Sequence, residues 1–255
     1  MNSIIQATPL DYNYFTQAQE KWLRDRLGKI TSSKCSVLFT GGKRPMTPEE
    51  LVIEKSMKGR RTTVDTMFGD GAVTYLQSLV SELTTGEPAE EVDFKQTEWG
   101  KANEMDAVHH FEAITGLKVG YHGISNPVFV KYGDFAGGSP DGEVLTKGED
   151  AIVECKCHWT GSNHMKKLLI KSVDEFKDKF WDEYCQDQMN MRVMNKKYCY
   201  SISYDPRKVK QKLWMKIIRV PIDQEWQDEF DERLECAVEM MSDILFETEN
   251  YLFIK

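Results

Sequence analysis

The chain has 255 residues, 40% of them hydrophobic, with 12 Phe, 6 Trp and 12 Met, enough to bury one sizeable core as a single domain over 1–255. Its 33 Lys and Arg against 41 Asp and Glu give a net charge of −8, which argues against a protein that coats nucleic acid by bulk charge alone. No apolar run reaches membrane-spanning length, and the N-terminus lacks the basic, apolar, small-residue order of a secretory signal, so a cytosolic compartment is expected.

Helices are predicted through residue 116. Residues 21–61 reverse the overall charge, with eleven Lys and Arg against four acids. Gly28 breaks the first helix, and Thr31 or Ser32 is a good N-cap for a short helix running through Val37 and Leu38. A helix N-terminus with free amides and hydroxyls beside Arg26 is a natural phosphate site; the plain alternative is a helix cap next to a surface arginine. The weakly patterned tract 41–63 reads as a mobile loop or arch, and its Lys58-Gly59-Arg60-Arg61 cluster as a solvated loop or a contact to phosphates. From Trp99 to Gly116 the spacing of Val108, Phe111 and Ile114 or Thr115 predicts a helix stopped at Gly116. Four residues back from Val108, Glu104 falls on the inward stripe, where a carboxylate needs a partner, or else reaches out to water at the stripe's edge. Asp106, His109 and Glu112 fall on the outer face.

Strands follow near 127–135, 142–146 and 151–157. Between Gly137 and Cys157 the chain reads GGSPDGEVLTKGEDAIVECKC, which places Asp141 in a turn and Glu154 and Lys156 on the next strand. The two-residue period of a strand puts Glu154 and Lys156 on one face and Val153, Cys155 and Cys157 on the other. The turn-rich Gly137–Gly142 delivers Asp141 to the mouth of the neighbouring strand, where carboxylates from two strands can share a metal. Two carboxylates and an ammonium suit hydrolysis of a phosphodiester, in which hard oxygen ligands hold Mg²⁺ or Mn²⁺ against the non-bridging oxygens. The bland alternative is a hairpin with a surface Glu-x-Lys pair.

A long helix is expected at 174–195, strands at 198–204 and 213–220, and an acidic helix at 223–247, giving an α/β fold with a central mixed sheet flanked by helices. Residues 223–249 hold eleven acids and one base, Arg233. In that last helix Trp226, Phe230, Leu234, Ala237, Met241 and Leu245 recur at helical spacing, as core or as a partner interface. The six cysteines match no closed zinc pattern and read as buried thiols in a reducing compartment; a zinc or iron-sulfur site on Cys155, Cys157, His158 and His164 is the sharper alternative.

Several of these motifs in one order resemble the lambda-type exonuclease family of phage and viral recombination nucleases, within the restriction-endonuclease-like superfamily. The resemblance covers most of the chain: Trp22 to Ser33, Trp99-Gly100-Lys101 with Glu104, Ser139-Pro140-Asp141-Gly142, Glu154-Cys155-Lys156-Cys157, Gln186-x-Gln188 and Tyr204-Asp205-Pro206-Arg207. It implies two Mg²⁺ ions, replaceable by Mn²⁺, held by Asp141, Glu154, the Cys155 carbonyl and Glu104. Lys156 and Gln186 would position the attacking water, although the tyrosine that usually precedes that glutamine stands at a different offset here, as Tyr184. Arg26, Thr31, Ser33 and Ser139 would grip a terminal 5′-phosphate. The activity implied is digestion of duplex DNA ends from 5′ to 3′ in a bacterial host, by a homo-oligomeric ring, a trimer in the best-known case, acting beside a single-strand annealing protein. An endonuclease of the same superfamily, or a non-catalytic DNA-end-binding module, would share much of this pattern.

Overall fold

The structure, a computed structural model, describes residues 16–88, 94–123 and 127–250, with no side chain described at 94–97, 101, 249 and 250. A sheet of five strands lies at its centre: β4 (Val119–Tyr121), β7 (Gly142–Val144), β8 (Ala151–Lys156), β9 (Tyr198–Tyr204) and β10 (Met215–Pro221). Spatially the order is β10-β9-β8-β7-β4, and only β8 and β9 run parallel. Parallel neighbours need a long crossover, supplied by α5 (Gly161–Leu168), α6 (Val173–Lys179) and α7 (Trp181–Met194). The mixed sheet flanked by helices is the α/β arrangement expected.

The two faces of β8 are separated as strand periodicity requires. Val153 and Cys155, with Tyr200, Ile202 and Tyr204 of β9, pack against Ala107, Val108 and Phe111 of α4 (Phe94–Thr115). Ile152, with Cys199, Ile218 and Val220, joins a second core built from α7, α3 (Asp70–Thr85) and α8 (Gln224–Asn250). The stripe of α8 is core: Trp226, Phe230, Ala237 and Met241 are buried, and Leu234 and Leu245 pack against them. Acids such as Glu225, Asp228, Glu232 and Glu239 occupy its exposed face.

The helical N-terminal half is interrupted by short strands. β1 (Ile30–Thr31) runs parallel to β6 (Ala136–Gly138), which pairs antiparallel with β5 (Val130–Tyr132) in a second sheet. The strand expected at 127–135 is shorter, β5 alone, and ends in a reversal around Gly133 at φ +62°; β6 follows beyond that range, running into the start of the stretch read as a turn. α1 (Gln17–Arg26) opens with a capping box at Thr16 and Gln19 and stops before Gly28, whose φ of +65° favours glycine. Tract 41–63 is more ordered than its weak pattern suggested. β2 (Gly42–Pro45) pairs with β3 (Thr63–Thr66), and α2 (Pro48–Ser56) lies between them, capped by Thr47 and Glu50.

The helix expected over 174–195 is two, because Phe180 leaves helical geometry (φ −135°, ψ 49°). Its ring stacks on Phe176 and lies 5.1 Å from the buried Lys167 ammonium. Ile114, one alternative for the inward stripe of α4, is exposed, while the Thr115 hydroxyl donates to Phe111 O. Glu112 is no solvated outer residue either: it accepts from Val119 N at 2.9 Å and fixes the start of β4.

Candidate active site

At the C-terminal end of β8 the pairing with β7 stops at Gly142↔Val153. Asp141, the residue before β7, takes over: its Oδ2 accepts from Cys155 N at 2.6 Å. A strand residue's N–H and C=O point to one edge, so the Cys155 carbonyl shares the edge that β7 leaves open. The Cys155 side chain turns the other way, into the core against α4. Glu104 reaches the same place from α4, hydrogen-bonded to Asp141 and to the Tyr121 hydroxyl.

Glu154, 2% exposed, points to α7. Its Oε2 accepts from Asn190 Nδ2 at 2.9 Å and its Oε1 from Lys156 Nζ at 2.9 Å. Gln186 closes this group: its Nε2 donates to the same Oε1, and its Oε1 accepts from Lys156 Nζ at 2.8 Å. Asp141, Glu154, Lys156, Gln186 and Glu104 are therefore brought together from β8, the turn before β7, α7 and α4.

The electrostatics follow from three acids around one lysine. Burial raises Glu104 above its ordinary value and Asp141 well above its own; the charge of Glu154 adds to the rise at Glu104, and that of Glu104 to the rise at Asp141. Burial and then the charge of Asp141 push Glu154 up to about 7, against the pull of Lys156 and Asn190. Burial alone would lower Lys156, but Glu154, Asp141 and Glu183 hold it above its ordinary value, so it remains an ammonium.

Among the described residues no three His, Cys, Asp or Glu side chains converge as a metal cage. The donor chemistry nevertheless fits a hard divalent cation. Carboxyls raised by burial and by one another's charge are groups whose charged form a bound cation would stabilise. Glu154 would have to release Lys156 or Gln186 to present an oxygen, while Asp141 and Glu104 already touch.

The second group of expected residues also converges. Thr31 Oγ1 and Ser33 Oγ lie 3.3 Å apart, and Thr31 N donates to the Tyr75 hydroxyl at 3.2 Å. Ser139 Oγ accepts from Trp22 Nε1 at 2.9 Å, and the Arg26 guanidinium lies 4.1 Å above the Trp22 ring. Burial lowers Arg26 from its ordinary value, with Tyr75 and Glu82 pulling the other way. The expected helix cap is absent: Thr31 is a strand residue, and the 3-10 turn Cys35–Phe39 follows Lys34 with no side-chain cap. Hydroxyls and an arginine, without a helix N-terminus, make up this cluster. Buried Pro140 alone separates Ser139 from Asp141.

Sequence reasoning missed Asn190, although its spacing of four from Gln186 places both on one face of a helix. Tyr75, Trp22 and Tyr121 were missed as partners because each meets its neighbour across the fold. Asp187, fully buried in the same helix with neither carboxyl oxygen hydrogen-bonded, is pushed up to about 8 by burial and then by the charge of Glu154. All six cysteines are free, and four are buried. No described helix is long and apolar enough to cross a membrane.

The fold is shared with solved exonucleases. An alkaline exonuclease from Laribacter hongkongensis is 20% identical, with a TM-score of 0.65 over 91% of this chain and 96% of that one. The structure of that enzyme in complex with dAMP gives 19% identity, 0.65 and the same coverage. A phage-related exonuclease from Haemophilus somnus 129PT is 16% identical, with a TM-score of 0.62 over 86% of this chain and 96% of that one. No curated protein sequence matches. Residues 21–197 match the YqaJ-like viral recombinase domain, a span that takes in the arginine and hydroxyl cluster, the three acids, Lys156, Gln186 and Asn190. The chain belongs to the YqaJ-like viral recombinase family, as its lambda-type motifs led us to expect.

Proposed function

We propose that this chain is a Mg²⁺-dependent exonuclease that digests one strand of duplex DNA from the 5′ end. It releases 5′-mononucleotides and leaves 3′ single-stranded overhangs for a single-strand annealing protein. The observation that carries this reading is the meeting of Asp141, Glu154, Lys156, Gln186 and Glu104 at one end of β8, one proline away from Ser139 and its Trp22–Arg26 neighbours. Membership of a viral recombinase family and a fold shared with alkaline exonucleases support it.

Asp141, Glu154, the Cys155 carbonyl and Glu104 are the groups that would hold two Mg²⁺ ions, for which Mn²⁺ can substitute; bound there, the ions would neutralise the non-bridging oxygens and acidify a water. Lys156, held as an ammonium by the acids around it, would donate to the attacking water to orient it and would offset charge growing on the phosphate. Gln186, with one donor and one acceptor already in this network, fixes the direction of Lys156. In the reaction water adds its oxygen to phosphorus and a proton to the departing 3′-oxygen as the P–O3′ bond breaks. The next nucleotide is left with a 5′-phosphate, the group that Arg26, Thr31, Ser33 and Ser139 would receive. A homo-oligomeric ring, a trimer in the arrangement favoured, would keep an acidic chain on its substrate by enclosure.

The test is digestion of linear duplex DNA with and without a 5′-phosphate in Mg²⁺, with a closed circle and Lys156→Ala as controls. Mononucleotide release from linear DNA alone, stimulated by the 5′-phosphate and lost in Lys156→Ala, is the expected result. Cutting of the closed circle would instead identify an endonuclease, and tight binding without cleavage a DNA-end-binding module.

A further inference from the structure

Two sequence motifs remain without a role in this reading, Trp99-Gly100-Lys101 and Tyr204-Asp205-Pro206-Arg207, and the structure brings them together. The Arg207 guanidinium lies 4.4 Å above the Trp99 ring. Its Nη1 and Nη2 donate to the backbone carbonyls of Trp159 and His158 at 3.0 and 3.1 Å. Trp159 meets Trp99 edge-on, with ring centroids 5.7 Å apart. Trp99 contributes its ring alone, since its buried Nε1 has no acceptor.

Trp159 is nevertheless 53% exposed. An exposed indole held by its backbone and by one ring edge keeps its apolar surface in water at a cost that a ligand would remove. It stands three residues beyond Lys156, where β8 leaves the sheet. Charge beside it suits a polyanion: Arg207 and Lys208 both pair with the single carboxylate of Asp205, at 2.7 and 3.3 Å, which leaves one positive charge in excess.

We propose that Trp159, braced by Trp99 and Arg207, is a stacking platform for an unpaired DNA base at the mouth of the active site. Bases of any identity stack on an indole, so the platform holds the strand without reading its sequence. This rests on the exonuclease reading for its place in a reaction, but DNA binding alone suffices to test it.

The experiment uses linear duplexes carrying 2-aminopurine at each of the first three positions of either strand. Fluorescence is read on the full-length protein in EDTA, where no cleavage occurs, and cleavage of the same duplexes is then followed in Mg²⁺. Wild type should quench one position; Trp159→Ala should lose the quench and bind about tenfold more weakly, while Trp159→Phe keeps most of both. In Mg²⁺ the alanine variant should raise KM by a similar factor and leave kcat within about twofold. If Trp159→Ala quenches and binds as wild type does, with its thermal melt unchanged, the platform is overturned. If wild type quenches through Trp159 but cleaves nothing, the platform stands and the exonuclease reading falls.

Discussion

Asn190 is the side chain whose removal is most informative at the residue scale. It is fully buried, it bonds one oxygen of Glu154, and its own Oδ1 sits where a β-carbon on Gly138 would come within 2.3 Å. Asn190→Ala should lower kcat by about ten- to a hundredfold, since Glu154 is left with an undirected oxygen, and should destabilise the fold by about 1–3 kcal/mol in a urea titration. A loss of stability with unchanged kcat would show that Asn190 only fills space. Asp141, Glu154 and Lys156 were legible because strand alternation and a turn place them without knowledge of anything distant. Asn190 was not, because its partner lies on another element 36 positions away. The same holds for the Trp22–Ser139 and Tyr75–Thr31 contacts, which no local pattern announces.

At the scale of elements, the end of β9 and the turn after it gather Asp205, Arg207 and Lys208 into one charged cluster. Burial by itself would raise Asp205, yet hydrogen bonds from Arg207 and Lys208 draw it down to about 2 from an ordinary 3.8. A carboxylate lowered on folding contributes stability that is complete above its unfolded value and is lost as pH falls through its folded one. Asp205→Asn should therefore cost about 1–2 kcal/mol at neutral pH. The difference from wild type should close between about pH 4 and pH 2, as read by denaturation at a series of pH values; a constant difference would assign the loss to packing. Elements whose periodicity is complete were read correctly, among them α4 and its stop at Gly116, β8, β9 and α8. The errors fall where tertiary contacts override local preference. Phe180 leaves the helix where aromatic rings and Lys167 surround it, and the turn at Gly133 ends β5 three residues short of where the strand was expected to stop.

Over the whole molecule, charge is sorted by position. The arm formed by β2, α2 and β3 exposes Lys43, Arg44, Lys55, Lys58, Arg60 and Arg61, while α8 turns its acids to solvent. Arg44 and Arg61 are occupied by Glu50 and Glu54. Replacing both Lys58 and Arg60 with Ala should weaken binding to duplex ends and reduce the slope of log K against log salt by about 2, measured by anisotropy across a salt series. An unchanged slope would place the arm away from the DNA. The sign reversal was legible in the sequence, since counting needs no coordinates, but the ordered hairpin beneath it was not, because its two strands are only four residues each and a helix intervenes.

Pro140 gives the molecule something that neither cluster has alone. A ring-locked, buried residue is all that lies between the serine proposed to hold the end of a strand and the aspartate proposed to cut it. If both proposals hold, grip and cut would sit two residues apart on one stretch of chain, so that movement of the surrounding loops would carry them together. On the proposed reading, the 5′-phosphate released beside Asp141 would have only the span of three consecutive residues to travel before Ser139 receives it.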